Sequence, residues 1–410
     1  MAGLIKWFSS NDINAPVLSN TWNCMIDVLD ACLVTGYSTQ QVSLFVIENG
    51  VGIVTFAGAH NYKQFQVLRF LSESNPIIHN KEFKILGVTT TTVEFKINTP
   101  DQTLSGVIAC QLAPLGWSKP FSGVGKAVYQ AKDIEKNPFF LRIDNSLDPL
   151  YNSTYAKFAK VGILETCEGV DDISGVQMPF DPANPNKNWV ASGSGTSVYN
   201  GWFKWRYAAY ETLATSSSWG DYNVPTNGDR SWYLIGDDDV FYIIPKMTVG
   251  TIFELPYGAG FLQHNGDSKP FIIAANSYSP ANSGPQYPTP LSTAGLQTLA
   301  LMRNYENNLI NTQFSKLVSG FGVASSGVAA NTIKADATEG LIFTPFYVVD
   351  PDQSILTNLP LVKCCINNAS DLSNGSIYAD EHGAYLLTRY RTTAGGAIGM
   401  LFFDIYKAGE

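Results

Sequence analysis

Between Gln41 and Leu112 the chain reads QVSLFVIENG (41–50), VGIVTFAG (51–58), QFQVLRFL (64–71), EFKILGVT (82–89), TTVEFKI (91–97) and SGVIACQL (105–112). Each run is rich in β-branched and aromatic residues, and turn formers such as Gly, Asn and Ser stand between them. They recur roughly every ten residues, which is the rhythm of antiparallel hairpins; parallel units need a crossover of a dozen residues or more. The expectation is a small β-barrel or sandwich over residues 41–115 that folds as a unit.

Upstream, residues 1–40 form an N-terminal segment with one short helix. Trp22, Met25, Ile26, Leu29 and Leu33 recur at helical spacing, Asn20 stands where a cap belongs, and Gly36 where a helix stops. Asp27 and Asp30 fall on its polar side and read as solvated. Downstream, LAPLGWSKPFSGVGKAVYQ (112–130) is a Pro- and Gly-rich connection into a larger β-rich domain over 116–410, with a possible subdivision near 276–291. NPFFLRIDN and AKFAKVGILETCEGV read as strands, and DRSWYLIGDDDVFYIIP (229–245) as two strands around a tight acidic turn. MPFDPANPNKNWVASGSGTSVYNG (178–201) reads as a long exposed loop or an arm toward a neighbouring subunit. LSTAGLQTLALMRNYENNL (291–309) fits a helix or a strand plus loop. The fold class is therefore mainly β: a small N-terminal helix, a β-barrel or sandwich module, then a larger antiparallel β-sandwich-like domain.

Composition narrows the function classes. The 410 residues carry 15% charged and 12% aromatic side chains and a formal net charge of −9, with no run of basic residues. A phosphate-tracking surface needs clustered Lys and Arg, so direct nucleic-acid binding is disfavoured. No stretch reaches the length of an apolar membrane span, and MAGLIKWFSSNDINAP lacks a basic region followed by an apolar one, so the chain is expected to be used without export. The six cysteines, Cys24, Cys32, Cys110, Cys167, Cys364 and Cys365, show no CxxC spacing and read as reduced, buried thiols.

Motifs for chemistry are sparse. No phosphate-binding glycine loop, HExxH, GxSxG or thiol-protease motif is present. SGSGTS (192–197) lacks the Lys and the strand-to-helix setting of an anion loop, and reads as a loop. Asp237, Asp238 and Asp239 at the acidic turn are the candidate metal ligands, since carboxylates suit Ca²⁺, though consecutive residues on a strand alternate sides and need a curled loop to converge. Asp171 with Asp172, and Asp133 near Glu135, are the pairs to weigh for glycosidase chemistry. His60, His79, His264 and His382 stand in unrelated segments without a triad context. Trp189, Trp202, Trp205 and Tyr207 are the candidate aromatic anchors, for a protein interface or a sugar face. No cofactor is implied.

The opening KWFSSNDINAPVLSNTWNCMIDVLDACLVTGY (6–37) resembles the start of a family of uncharacterised virion proteins of tailed bacteriophages and prophages. The resemblance rests on the lysine and aromatic start, the APVL element, the helix ending LDACLVTGY, then LAPLGWSKPFSGVGKAVYQ and SWYLIGDDDVFYII; it weakens from Gly250 onward, and the polar loop around Pro182 to Ser197 departs from the pattern. It implies an address rather than a reaction, and supplies no catalytic residue. The chain is expected in the virion, assembled in the host cytoplasm, as a homo-oligomeric subunit of tail, neck or baseplate; capsid decoration and a host-glycan-binding tail module are the alternatives.

Overall fold

In a computed structural model the described residues are 3–209, 221–249, 255–276, 291, 298–304, 306–319, 341–350, 354–365, 372–391 and 398–409. Alternation along the quoted runs decides what each strand buries. Phe45, Ile47, Val54, Val93 and Phe95 point inward from an antiparallel five-stranded sheet ordered Gln102–Leu104, Leu44–Glu48, Val51–Thr55, Thr92–Lys96, Gly87–Val88. Asn49 and Gly50 both take positive φ, 52° and 76°, as a two-residue primed turn requires. A second sheet, Tyr37–Gln41, Ala109–Leu112, Val67–Leu71, Glu82–Lys84, packs against the first through Leu68, Phe70 and Cys110. Ring centroids of Phe45 and Phe70 lie 5.2 Å apart and those of Phe83 and Phe95 4.6 Å apart. The module is a sandwich of two sheets, and its first strand starts at Tyr37.

The helix is shorter than its sequence period predicts. Cys24–Leu29 is α-helical and Asp30–Thr35 continues it as a π-helical turn, ended by Gly36 at φ 76°. Asn23, not Asn20, precedes it, and the free Met25 N–H at its start donates to Asn145 Oδ1 at 3.0 Å. A side chain just past the end of the distant strand Phe140–Asp144 thus caps the helix, which sequence spacing cannot disclose. Asp30 is also not simply solvated: it accepts from Lys119 Nζ at 2.6 Å and Tyr129 OH at 2.8 Å.

Two larger antiparallel sheets follow. One holds Ser118–Gly123, Lys126–Gln130, Phe140–Asp144, Lys157–Leu164, Phe203–Ala208 and Ala275–Asn276 in that order, with Gln177–Met178 added against Lys157–Leu164. The other has twelve strands and begins with the N-terminal Lys6–Ser9 on Trp232–Gly236, then Val240–Pro245, and ends with Ile398–Lys407, Gly383–Arg391 and Ile377–Asp380. The hairpin 232–245 shows why its sequence is apolar at nearly every position. Trp232, Leu234, Phe241 and Ile243 enter the core shared with the helix and the small sandwich, while Ile235, Val240, Tyr242 and Ile244 enter a second core behind the sheet. Both faces are covered, so alternation of polar and apolar residues is lost. Between 291 and 309 the described residues form the strand Thr298–Arg303, without a helix. Residues 277–290, at the expected subdivision, lie outside those described. All six cysteines are free and buried; Cys364 and Cys365 face different cores, as consecutive strand residues must. No helix among the described residues is long and apolar enough to cross a membrane.

Candidate functional site

Three stretches far apart in sequence, 6–37, 112–130 and 231–244, meet at one junction. Trp7 and Phe8 pair with Ile235 and Leu234 across the strand edge. Ser10 N–H donates to Trp232 O at 3.0 Å, and the Trp232 indole N–H donates to Pro16 O at 3.1 Å. Leu115 and Gly116 N–H groups donate to Cys32 and Leu33 carbonyls at 2.8 and 3.0 Å, closing the last turn of the helix against the connection. Trp117 sets its ring edge-on to Phe241 at 5.3 Å and donates to Asp237 O at 3.0 Å.

Charged groups within this junction are consumed by it. Lys6 is buried; its Nζ donates to Pro114 O and pairs with Glu82 Oε2 at 2.6 Å, and burial lowers its pKa despite that carboxylate. Lys84 Nζ donates to Ile5 O at 2.7 Å and Ile405 O at 2.9 Å, tying the small sandwich to the residue just before the first strand and to the last described strand. Asp12 is 7% exposed and accepts from Ser9 N at 2.8 Å, Tyr37 OH at 2.8 Å, Gln66 Nε2 at 3.1 Å and Lys63 Nζ. Four donors from three segments of the chain saturate one carboxylate, which is the condition for burying it at all.

The acidic turn lies on the same junction, and its three carboxylates diverge. Asp237 Oδ1 accepts from the turn's own Asp239 and Val240 N–H groups, each at 2.9 Å. Asp238 accepts from Gly3 N at 3.2 Å and faces Lys132 at 3.9 Å. Asp239 accepts from Asn137 Nδ2 at 2.6 Å and Lys136 Nζ at 2.8 Å. As Ca²⁺ ligands Asp237, Asp238 and Asp239 are thus corrected: each is spent on a separate partner, and no group of three metal-ligating side chains forms among the described residues. Burial pushes the Asp237 carboxyl up to about 6, over the opposition of its two backbone donors.

The aromatic candidates are corrected too. Trp189, Trp202, Trp205 and Tyr207 are all buried, at 4, 6, 0 and 0% exposure, so none offers a ring to a sugar or a partner. Trp189 lies under the Arg142 guanidinium at 4.3 Å and donates to Gln177 Oε1 at 2.7 Å, which folds part of the 178–201 loop back onto its own sheet. Trp205 donates to Ile273 O at 3.0 Å; Tyr207 donates to Thr21 O at 2.7 Å and accepts from Asn145 at 2.9 Å. The strand Phe203–Ala208 is covered on both faces, whereas alternation predicts one aromatic row outside.

The remaining carboxylates and histidines hold local structure. Asp171 pairs with Lys126 at 2.6 Å, while Asp172 accepts from Glu168 N, Ser174 N and Ser174 Oγ, hydrogen bonds that hold it below the usual carboxylate range. Both line an open pocket of about 570 Å³ with Thr166, Glu168 and Ser174. Asp133 accepts from Lys136 N at 3.1 Å, and Glu135 is exposed. His60 is buried beside Phe56 and Tyr62, His79 accepts from Ser72 N at 3.3 Å, and His264 sits 2.7 Å from Leu356 O; His382 is exposed. SGSGTS becomes a loop with a single 3-10 turn, Gly195–Ser197.

Sequence reasoning missed the buried ion clusters. Asp221 accepts from Arg206 NH2 at 2.9 Å and from Lys204 Nζ; burial pushes its carboxyl up, but the two cations outweigh this and hold it at about 2. Asp144 faces Lys160 at 3.2 Å and accepts from Ser146 Oγ at 2.6 Å. The signal was the spacing of Lys204 and Arg206 within FKWRYA: two cations on one face of an aromatic strand demand a carboxylate if that face is covered. No known protein-family model matches this chain, and no curated protein is similar to it in sequence.

Proposed function

We propose that this chain is a structural subunit of a tailed-phage virion, placed at the tail, neck or baseplate and working by burying surface against copies of itself and neighbouring virion proteins, not by catalysis. One observation carries the reading. The three stretches on which the resemblance rests meet at the junction, and there most of their ionisable groups are paired within the fold. Asp30 pairs with Lys119 and Tyr129 of the connection, and Lys6, Asp12 and Asp239 with Glu82, Lys63 and Lys136 of neighbouring segments. Residues recurring in a catalytic family are expected to leave reactive groups facing a cleft; here Lys6, Asp12, Asp30 and Asp239 are bound to partners within the fold. What these residues build is a scaffold.

Low charge and an all-β architecture support the same reading, because sheets expose faces and edges that symmetric copies complete. The test is genetic. Disrupting the gene in the phage or prophage that encodes it should stop particle assembly or leave particles lacking one part by electron microscopy, and complementation should restore them. Normal, infectious particles without the chain would refute the proposal.

A further inference from the structure

The outer face of the five-stranded sheet breaks the rule that a solvated antiparallel face is polar. The register places Val46 opposite Ile53 and Val51 opposite Glu48, with Leu44 beside Thr55. Leu44 is 47% exposed, and Val46, Val51 and Ile53 are partly exposed. The adjoining strand adds Glu94 opposite Ile53 and Lys96 opposite Val51, both exposed. Neither charge forms an ion pair within the chain among the described residues.

From this pattern we infer that the face docks against the same face of a second copy about a two-fold axis. Glu94 and Lys96 stand two residues apart on one strand, about 7 Å along it. An axis lying in the interface, perpendicular to the strands and midway between them, sets Lys96 of each copy over Glu94 of the other. The same operation sets Val51 over Ile53 in both directions. A two-fold contact must be self-complementary, and the Glu94–Lys96 and Val51–Ile53 crossings are so, while the same operation sets exposed Glu48 over Val46 of the other copy and adds no opposite charge there. Five strands about 4.8 Å apart, three of them five residues long and the edge strands three and two, give a footprint on the order of 300 Å² per copy. That is less than the roughly 800 Å² per partner of a standard stable complex, so the pair is weak in isolation and is strengthened where other contacts hold the copies together. The inference rests on the assembly reading for its setting, whereas the contact itself is a property of the purified chain.

Sedimentation velocity of the full chain, over a concentration series into the high-micromolar range, tests it. The wild type should self-associate reversibly. Glu94→Lys and Lys96→Glu should each weaken association by about tenfold or more, since like charges then meet across the axis. An equimolar mixture of the two variants should recover it, because every crossing pair is again opposite, and the double variant E94K/K96E should recover it alone. Far-ultraviolet circular dichroism confirms that these surface variants keep the fold. A wild type that stays monomeric, single variants that associate unchanged, or a mixture no better than its components would each overturn the inference. Dimerisation by this pattern in a chain that particles do not need would sink the virion reading alone; a required chain that fails these tests would sink only the contact.

Discussion

Asp237→Asn should stabilise the protein at neutral pH and nowhere else. The wild-type carboxyl has its pKa raised from 3.8 to about 6 because the turn buries it beside Asp238 and Asp239. A folded pKa above the unfolded one means the folded state prefers the protonated form. Ionisation of this group therefore costs stability that is fully lost above pH 6 and regained as the pH falls toward 4. At about 1.4 kcal/mol per unit, a shift of about two units corresponds to on the order of 2–3 kcal/mol. Asparagine keeps an oxygen to accept from the Asp239 and Val240 N–H groups and carries no charge, so the variant should gain most of that amount at pH 7.5 and almost none at pH 4. Urea denaturation of both proteins at intervals between pH 4 and 7.5 gives the difference directly. His60, whose pKa burial lowers, loses stability in the acidic part of that range, but it contributes equally to both proteins and cancels. A difference that does not change with pH, or a variant less stable at pH 7.5, would refute the assignment.

Three further outcomes follow from buried groups. Asp12→Ala should cost about 3–5 kcal/mol in denaturant unfolding, because Tyr37, Gln66 and Lys63 lose their common acceptor, and Asp12→Asn should cost less. Asp221→Asn leaves Lys204 and Arg206 buried against a neutral amide and should also cost about 3–5 kcal/mol near neutrality. In the wild type the part of that contribution carried by ionisation, on the order of 2–3 kcal/mol for a shift of about two units, should disappear as the pH falls from about 4 through 2, the window between the unfolded and folded values of Asp221. Trp205→Ala removes a fully buried indole with its hydrogen bond to Ile273 O and should lower stability by about 3–5 kcal/mol, read from the denaturation midpoint.

The small sandwich was legible because one face of each strand is covered and the other is not fully so. Phe45, Ile47 and Val54 announce themselves by alternation, and Asn49-Gly50 announces its turn. The hairpin 232–245 was legible as strands, yet its position between two cores was not, since an apolar run is equally compatible with one covered face and two. Helix capping failed because Asn145, over a hundred residues away, does the work that local spacing assigned to Asn20. The aromatic candidates failed for a related reason. Trp205 and Tyr207 alternate with Lys204 and Arg206, so on a half-covered strand one of the two rows lies outside; buried Asp221 neutralises the two cations and lets both faces be covered. Acidic-turn ligands were misread because residue type does not show direction: Asp237, Asp238 and Asp239 turn toward three different partners.

The central claim is that the chain is a built-in part of a particle, and quantitative mass spectrometry of purified particles, normalised to the major capsid protein, tests it most directly. A fixed, low copy number that survives stringent purification is the predicted result and places the chain at the tail, neck or baseplate. A number in proportion to the capsid protein would move it to the shell as a decoration protein. Absence from the particles would contradict the account.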